Sequence, residues 1–77
     1  MKKIKMIGER QSLFLDRNVE IGTNVLFDTR GGNIEIKGPS YLIGNTKLHA
    51  SGGRISIGRN VTIGDYSFLN GAGGFID

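Results

Sequence analysis

The sequence repeats with a period of 21 residues, and this regularity restricts the possible folds more than any other feature. Glycine pairs occur at Gly31-Gly32, Gly52-Gly53 and Gly73-Gly74. Apolar residues recur at the same offset in three more columns: Phe27, Leu48 and Leu69; Ile34, Ile55 and Ile76; and Ile21, Leu42 and Ile63. A fixed period of about 20–50 residues is typical of stacked repeat architectures, in which each repeat buries its apolar face against its neighbours.

Within each period, apolar and polar residues alternate with a period of two. Ile34-Glu35-Ile36 and Val61-Thr62-Ile63 read apolar, polar, apolar, and the apolar members are β-branched. This alternation predicts short strands with one buried face. No segment shows a sustained helical period, so the sequence predicts an all-β fold.

The steps between the buried positions indicate the shape of the repeat. Leu15, Ile21 and Phe27 are six residues apart, and Ile36 follows Phe27 after nine. The same steps recur at Ile36, Leu42, Leu48 and Ile57. Two steps of six and one of nine predict three strands per turn, a triangular β-solenoid of about three turns, with the Gly-Gly pair as an insertion at one corner. Glycines after the buried aliphatics, as in Ile21-Gly22, are expected to ease the other corners.

The composition agrees with one small solenoid domain over residues 1–77. The chain has 13 glycines, one proline and no cysteine, which excludes a disulfide framework and thiolate metal sites. The register stops at Asp77, inside an expected strand, so we expect the solenoid to be incomplete at its C-terminus. The segment from Met1 to Ser12 is charged and weakly patterned.

The charge and hydropathy patterns favour a cytoplasmic protein that binds neither membranes nor nucleic acids. The net charge is +3, with an excess of lysine near the N-terminus that is interpreted as a solvated basic end. No apolar stretch approaches the roughly 18 residues of a membrane span, and Met1–Gly8 lacks the apolar segment of a signal peptide. The aromatic residues are scattered among few basic ones, unlike a nucleic-acid surface.

The stretch Ser51-Gly-Gly-Arg-Ile-Ser-Ile-Gly-Arg-Asn-Val-Thr-Ile-Gly-Asp-Tyr-Ser-Phe-Leu69 resembles the hexapeptide-repeat acyltransferases. The likeness covers residues 19–77 and is greatest to the O-acetyltransferases of sugars, capsules and lipopolysaccharide. The resemblance implies a left-handed parallel β-helix that forms a homotrimer. It also implies acetyl-CoA or another acyl-CoA as co-substrate, bound between neighbouring prisms, and a small-molecule acceptor whose hydroxyl or amine is deprotonated by a histidine.

The chain offers one histidine, His49, as the candidate catalytic base. The period places His49 in a column with Asp28 and Asn70, and Leu48 takes the neighbouring buried place, so His49 should point outward at a corner. An ordinary polar corner residue is the alternative interpretation. Asn70 is the candidate substrate-binding residue, at the start of the glycine corner Gly71–Gly74. In similar proteins this corner can carry a histidine, whereas here Ala72 occupies it.

Other chemistry has less support in the sequence. A single histidine is too few for the metal site of the solenoid carbonic anhydrases, so no metal is predicted. Asp28, Asp65 and Asp77 are interpreted as isolated turn or edge acids. The alternative to an enzyme is a structural solenoid that assembles end to end, as bactofilin-like polymers do.

Overall fold

A computed structural model describes residues 4–71 and the backbone of Phe75 and Ile76. The described chain consists of short strands and one 3₁₀ turn at Arg10–Ser12. The strands, in chain order, are β1 (Ile4–Ile7), β2 (Leu13–Leu15), β3 (Val19–Thr23), β4 (Val25–Asp28), β5 (Asn33–Ile36), β6 (Ser40–Gly44), β7 (Lys47–His49), β8 (Arg54–Ile57), β9 (Thr62–Ile63), β10 (Phe68–Asn70) and β11 (Phe75–Ile76).

The strands form three parallel sheets, each stacked three or four strands deep. Face I is β1-β4-β7-β10, face II is β2-β5-β8-β11, and face III is β3-β6-β9. Successive strands in the chain belong to successive faces, so three strands complete one coil. The predicted all-β triangular solenoid is therefore confirmed.

The predicted 21-residue register is also confirmed pair by pair. Phe27 lies opposite Leu48, and Ile34 lies opposite Ile55. Leu42 lies opposite Ile63 on face III. Each coil thus places its buried aliphatics directly over those of the preceding coil, as the sequence period requires.

The core is a column of apolar side chains inside the three faces. Its fully buried members are Phe27, Ile34, Ile36, Leu42, Leu48 and Ile55, with Val25 and the polar Thr46 beside them. The hydroxyl of Thr46 donates to the backbone oxygen of Gly44 at 2.9 Å and lies 3.3 Å from that of Gly64, so its polar atom is satisfied. Burial of these side chains is the main stabilising term for a chain this small.

From Ile4 onward, the weakly patterned N-terminal segment joins the stack. β1 pairs in parallel with β4, and Met6 lies opposite Phe27. The 21-residue period places Met6 one step before Phe27, but two features make the strand pattern weak in the sequence. Ile4 and Ile7 remain exposed, and the alternation is interrupted by the 3₁₀ turn before β2. Residues 4–12 are nonetheless part of the first coil.

Three corners contain an asparagine in the left-handed conformation, where glycine was expected to ease the turn. Asn24, Asn45 and Asn60 have positive φ values of 57°, 50° and 59°. Asn24 and Asn60 lie two residues after Gly22 and Gly58, and Asn45 directly follows Gly44. Gly22 itself is not in the left-handed region. Asparagine tolerates this conformation because its short side chain hydrogen-bonds locally. In addition, the amide of Asn24 donates to the side-chain oxygen of Asn45 in the next coil at 3.1 Å.

The Gly-Gly corner is packed to the limit that coil spacing allows. A Cβ atom on Gly32 would lie 2.0 Å from the carbonyl oxygen of Gly53 in the next coil. Gly52 has a φ of +80°, a conformation that side chains rarely adopt. The repeated glycines thus permit both the tight turn and the close approach of neighbouring corner loops.

Candidate active site at the glycine corner

The candidate functional residues lie together at the end of face I that adjoins the Gly-Gly corner. In register at the ends of β1, β4, β7 and β10 lie Ile7, Asp28, His49 and Asn70. Each follows an inward-facing residue of its strand, as Asp28 follows Phe27 and His49 follows Leu48, so their side chains lie on the outer side of face I. The column predicted from the 21-residue period is therefore present, with Asp28 and His49 in adjacent coils.

Asp28 is the centre of the hydrogen bonding at this edge. Only 4% of its side chain is exposed, and it accepts bonds from both neighbours. Arg30 donates from Nε to Oδ1 at 2.9 Å, from Nη2 to Oδ2 at 2.6 Å, and from its backbone N–H to Oδ1 at 3.1 Å. Nδ1 of His49 lies 3.1 Å from Oδ2. One carboxylate thus joins a corner arginine to a histidine of the next coil.

The arginine determines the ionisation of this carboxyl group. The side-chain hydrogen bonds of Arg30 hold the pKa of Asp28 well below its ordinary value, and they outweigh the burial that would raise it. Bonds from the Arg30 backbone and from His49 lower the pKa of Asp28 further. Asp28 is therefore an anion at neutral pH, even though its side chain is almost completely hidden.

The ionised carboxylate defines the tautomer of His49. A carboxylate only accepts hydrogen bonds, so Nδ1 of His49 must carry the proton in their contact. In a neutral imidazole, Nε2 then carries the lone pair. The His49 side chain is 22% exposed, and its ring packs on Phe68 with centroids 5.2 Å apart and an interplanar angle of 57°. The His49 ring is thus held by Asp28 and by Phe68, is partly exposed to solvent, and has Nε2 as its basic nitrogen.

Asn70, the candidate substrate-binding residue, lies next to His49 in the column. The two are opposite each other in the pairing of β10 with β7, and Asn70 is exposed. Gly71 follows it and donates its backbone N–H to the His49 carbonyl at 2.8 Å. Residues 72–74, the rest of the predicted glycine corner, lie outside the described residues. The structure therefore brings the two predicted site residues together.

The interpretation of Asp28 as an isolated acid is wrong. Asp28 is bound by an arginine two residues later and by a histidine 21 residues later. The period alone showed that Asp28 and His49 share a column. The sequence did not show that the chain bends after β4 so that Arg30 returns to Asp28. The spacing Asp-x-Arg, followed one period later by histidine, is the pattern that could have revealed the site.

The described residues offer little to hold a metal ion. No group of three or more histidine, cysteine or acidic side chains occurs among residues 4–71. The same part of the chain contains no helix long and apolar enough to cross a membrane. Asp65, the other predicted isolated acid in this range, accepts one bond from the side-chain amide of Asn45 at 3.0 Å.

Comparison of the chain with protein-family models, with curated proteins and with solved structures returns no significant match.

Proposed function

We propose that this chain belongs to an acyltransferase that moves an acetyl or other acyl group from acyl-CoA to a hydroxyl or amine of a sugar-like acceptor. The observation that carries the proposal is the Asp28–His49 pair. An ionised, buried carboxylate on Nδ1 leaves Nε2 as a base and stabilises the imidazolium that forms when Nε2 takes a proton. The resemblance of the repeat supplies the acyl-CoA and the type of acceptor.

The proposed chemistry needs a single general base. Nε2 of His49 takes the proton from the acceptor O–H or N–H while that atom attacks the thioester carbonyl. The tetrahedral intermediate then collapses, the C–S bond breaks, and the departing thiolate takes the proton from Nε2. Asp28 stays ionised throughout and holds the ring in position. Asn70, opposite His49, is proposed to hydrogen-bond the acceptor.

The enzymatic test measures thiol release from acetyl-CoA with a panel of sugars and amino sugars. In the variant His49→Gln we expect a loss of about 100-fold or more, the usual contribution of a general base. Arg59→Gln is the matched control, because Arg59 is an exposed residue at another corner. Equal rates for wild type and His49→Gln would refute the role of His49. If neither acetyl-CoA nor another acyl-CoA releases thiol in an acceptor-dependent way, acyl transfer is refuted.

The proposal includes a cytoplasmic homotrimer, as the resemblance implies. Light scattering over a concentration series measures the assembly, with three times the 8.3 kDa chain mass as the expected value. A mass that rises steadily with concentration would instead favour the structural alternative, end-to-end assembly without a fixed size.

A further inference from the structure

Face I carries a groove whose lining does not include Asp28 or His49. It has a volume of about 370 Å³ and is lined by Lys5, Asn24, Val25, Leu26 and Lys47. It occupies the half of face I away from the glycine corner. Lys47 and His49 belong to the same strand and lie two residues apart, so both point to the outer side of the sheet.

The stacking register builds this groove from three successive coils. Lys5 lies opposite Leu26, and Leu26 lies opposite Lys47. Because neighbouring strands are about 4.8 Å apart, the two lysine backbones are roughly 10 Å apart with the leucine between them. Long, flexible lysine side chains can converge over that distance on one anion. The groove therefore has an apolar floor between two cationic walls.

Among the described residues, no group neutralises the two ammonium charges. Neither lysine takes part in an ion pair or a side-chain hydrogen bond within residues 4–71, whereas Arg30 binds Asp28 and Arg54 binds Glu35. No acidic residue is among the described residues that line the groove. Unpaired like charges that face each other across an apolar floor favour a dianion between them.

We propose that the groove between Lys5 and Lys47 binds a small organic phosphate, with the phosphate between the two ammonium groups and the apolar part of the ligand on Leu26. The concave shape suits a small soluble molecule. A nucleic-acid strand would need stacking aromatics in the lining, and the described lining has none. The proposal does not depend on acyl transfer, because it concerns binding in the absence of any acyl donor.

The test is a titration of the protein with phenyl phosphate, followed by ¹H–¹⁵N NMR. We expect shifts concentrated at residues 24–26 and 46–48, with little change on face II. Inorganic phosphate should bind several-fold more weakly because it lacks the apolar part, and phenol should not shift these residues. Binding should weaken as salt rises from low to physiological concentration.

Substitutions assign the effect to the two lysines. Lys47→Met should weaken phenyl phosphate binding about tenfold, as expected for loss of a charge-assisted hydrogen bond. The double variant Lys5→Met/Lys47→Met should show no saturable binding. Lys37→Met removes an exposed lysine at another corner and should bind like wild type. The NMR spectra report at the same time whether each variant is folded.

Three results would overturn the proposal. The first is equal weakening by Lys37→Met and Lys47→Met, which would indicate a general effect of net charge. The second is phenyl phosphate shifts that lie elsewhere. The third is that the protein sediments with anionic phospholipid vesicles only when both lysines are present, while free phenyl phosphate does not bind. That result would indicate that this face binds a membrane surface. Acyl transfer would be untouched by each of them, since its test is thiol release that depends on His49.

Discussion

Asp28→Asn removes the charge at the centre of the corner while it keeps the shape of the side chain. The amide retains one acceptor oxygen, so it can satisfy one of the donors that now share the carboxylate. Charge-assisted hydrogen bonds contribute about 1.5–3 kcal/mol each in buried settings. The Arg30 side chain is 69% exposed, so solvent screens most of its share. We therefore expect the free energy of unfolding at pH 7 to fall by about 1–2 kcal/mol.

The pH dependence separates this effect from a general packing defect. The pKa of Asp28 is lowered in the folded chain, so folding favours its ionised form. Its contribution to stability is complete above the unfolded pKa, about 3.9, and declines as the pH falls below that value. The difference in unfolding free energy between wild type and Asp28→Asn should thus be full at pH 7 and smaller at pH 3.

Urea denaturation followed by circular dichroism at the two pH values measures this difference. Asp65→Asn is the matched control, because it removes the same charge from an exposed position and should change stability by less than about 0.5 kcal/mol. A second readout is the ¹⁵N chemical shift of the His49 ring, which should show the proton of the neutral imidazole on Nδ1. An equal cost of Asp28→Asn at pH 3 and pH 7 would contradict a stabilising charge on Asp28. A proton on Nε2 of the neutral ring would contradict the assigned tautomer of His49.

Three further outcomes are expected. Gly32→Ala should destabilise the fold by about 1–3 kcal/mol, since its Cβ would meet a backbone carbonyl of the next coil. In Gly58→Ala the new Cβ would meet no atom within 4 Å, so this control should be neutral or slightly stabilising. Thermal melts of the two variants measure the difference. Thr46→Val should cost about 1 kcal/mol in urea titrations because a fully buried hydroxyl loses its bond to the Gly44 carbonyl. Leu48→Ala should cost about 2–5 kcal/mol and broaden or abolish the cooperative transition; unchanged cooperativity would show that the apolar column does not hold the coils together.

The architecture could be predicted because the 21-residue period determines which residues stack on one another. Once Phe27 and Leu48 are known to be one period apart, stacking places them opposite each other, and the structure has them so. The same logic put His49 beside Asp28. Parallel stacking converts sequence offset into spatial contact without any knowledge of loops.

The chemistry of the corner was less predictable because it depends on side-chain direction in irregular backbone. The period cannot say that Arg30 folds back onto Asp28, nor that this bond keeps the carboxylate ionised in a buried place. The left-handed turns at Asn24 and Asn45 were missed for a related reason. Glycine was the expected residue, but asparagine reaches the same backbone conformation with a side-chain bond to the next coil.

The Asp28–His49 pair joins two successive coils of the stack, and this has a consequence for how the corner would respond to partial unfolding. In a one-dimensional stack, neighbouring repeats can separate locally at a lower free energy than complete unfolding. Parting the coil of β4 from the coil of β7 would remove the anion from His49 and leave most of both coils intact. The histidine thus reports the integrity of a single interlayer junction. Under mild heating or in a low concentration of denaturant, we expect His49 to lose its contact with Asp28 before most of the β-structure unfolds.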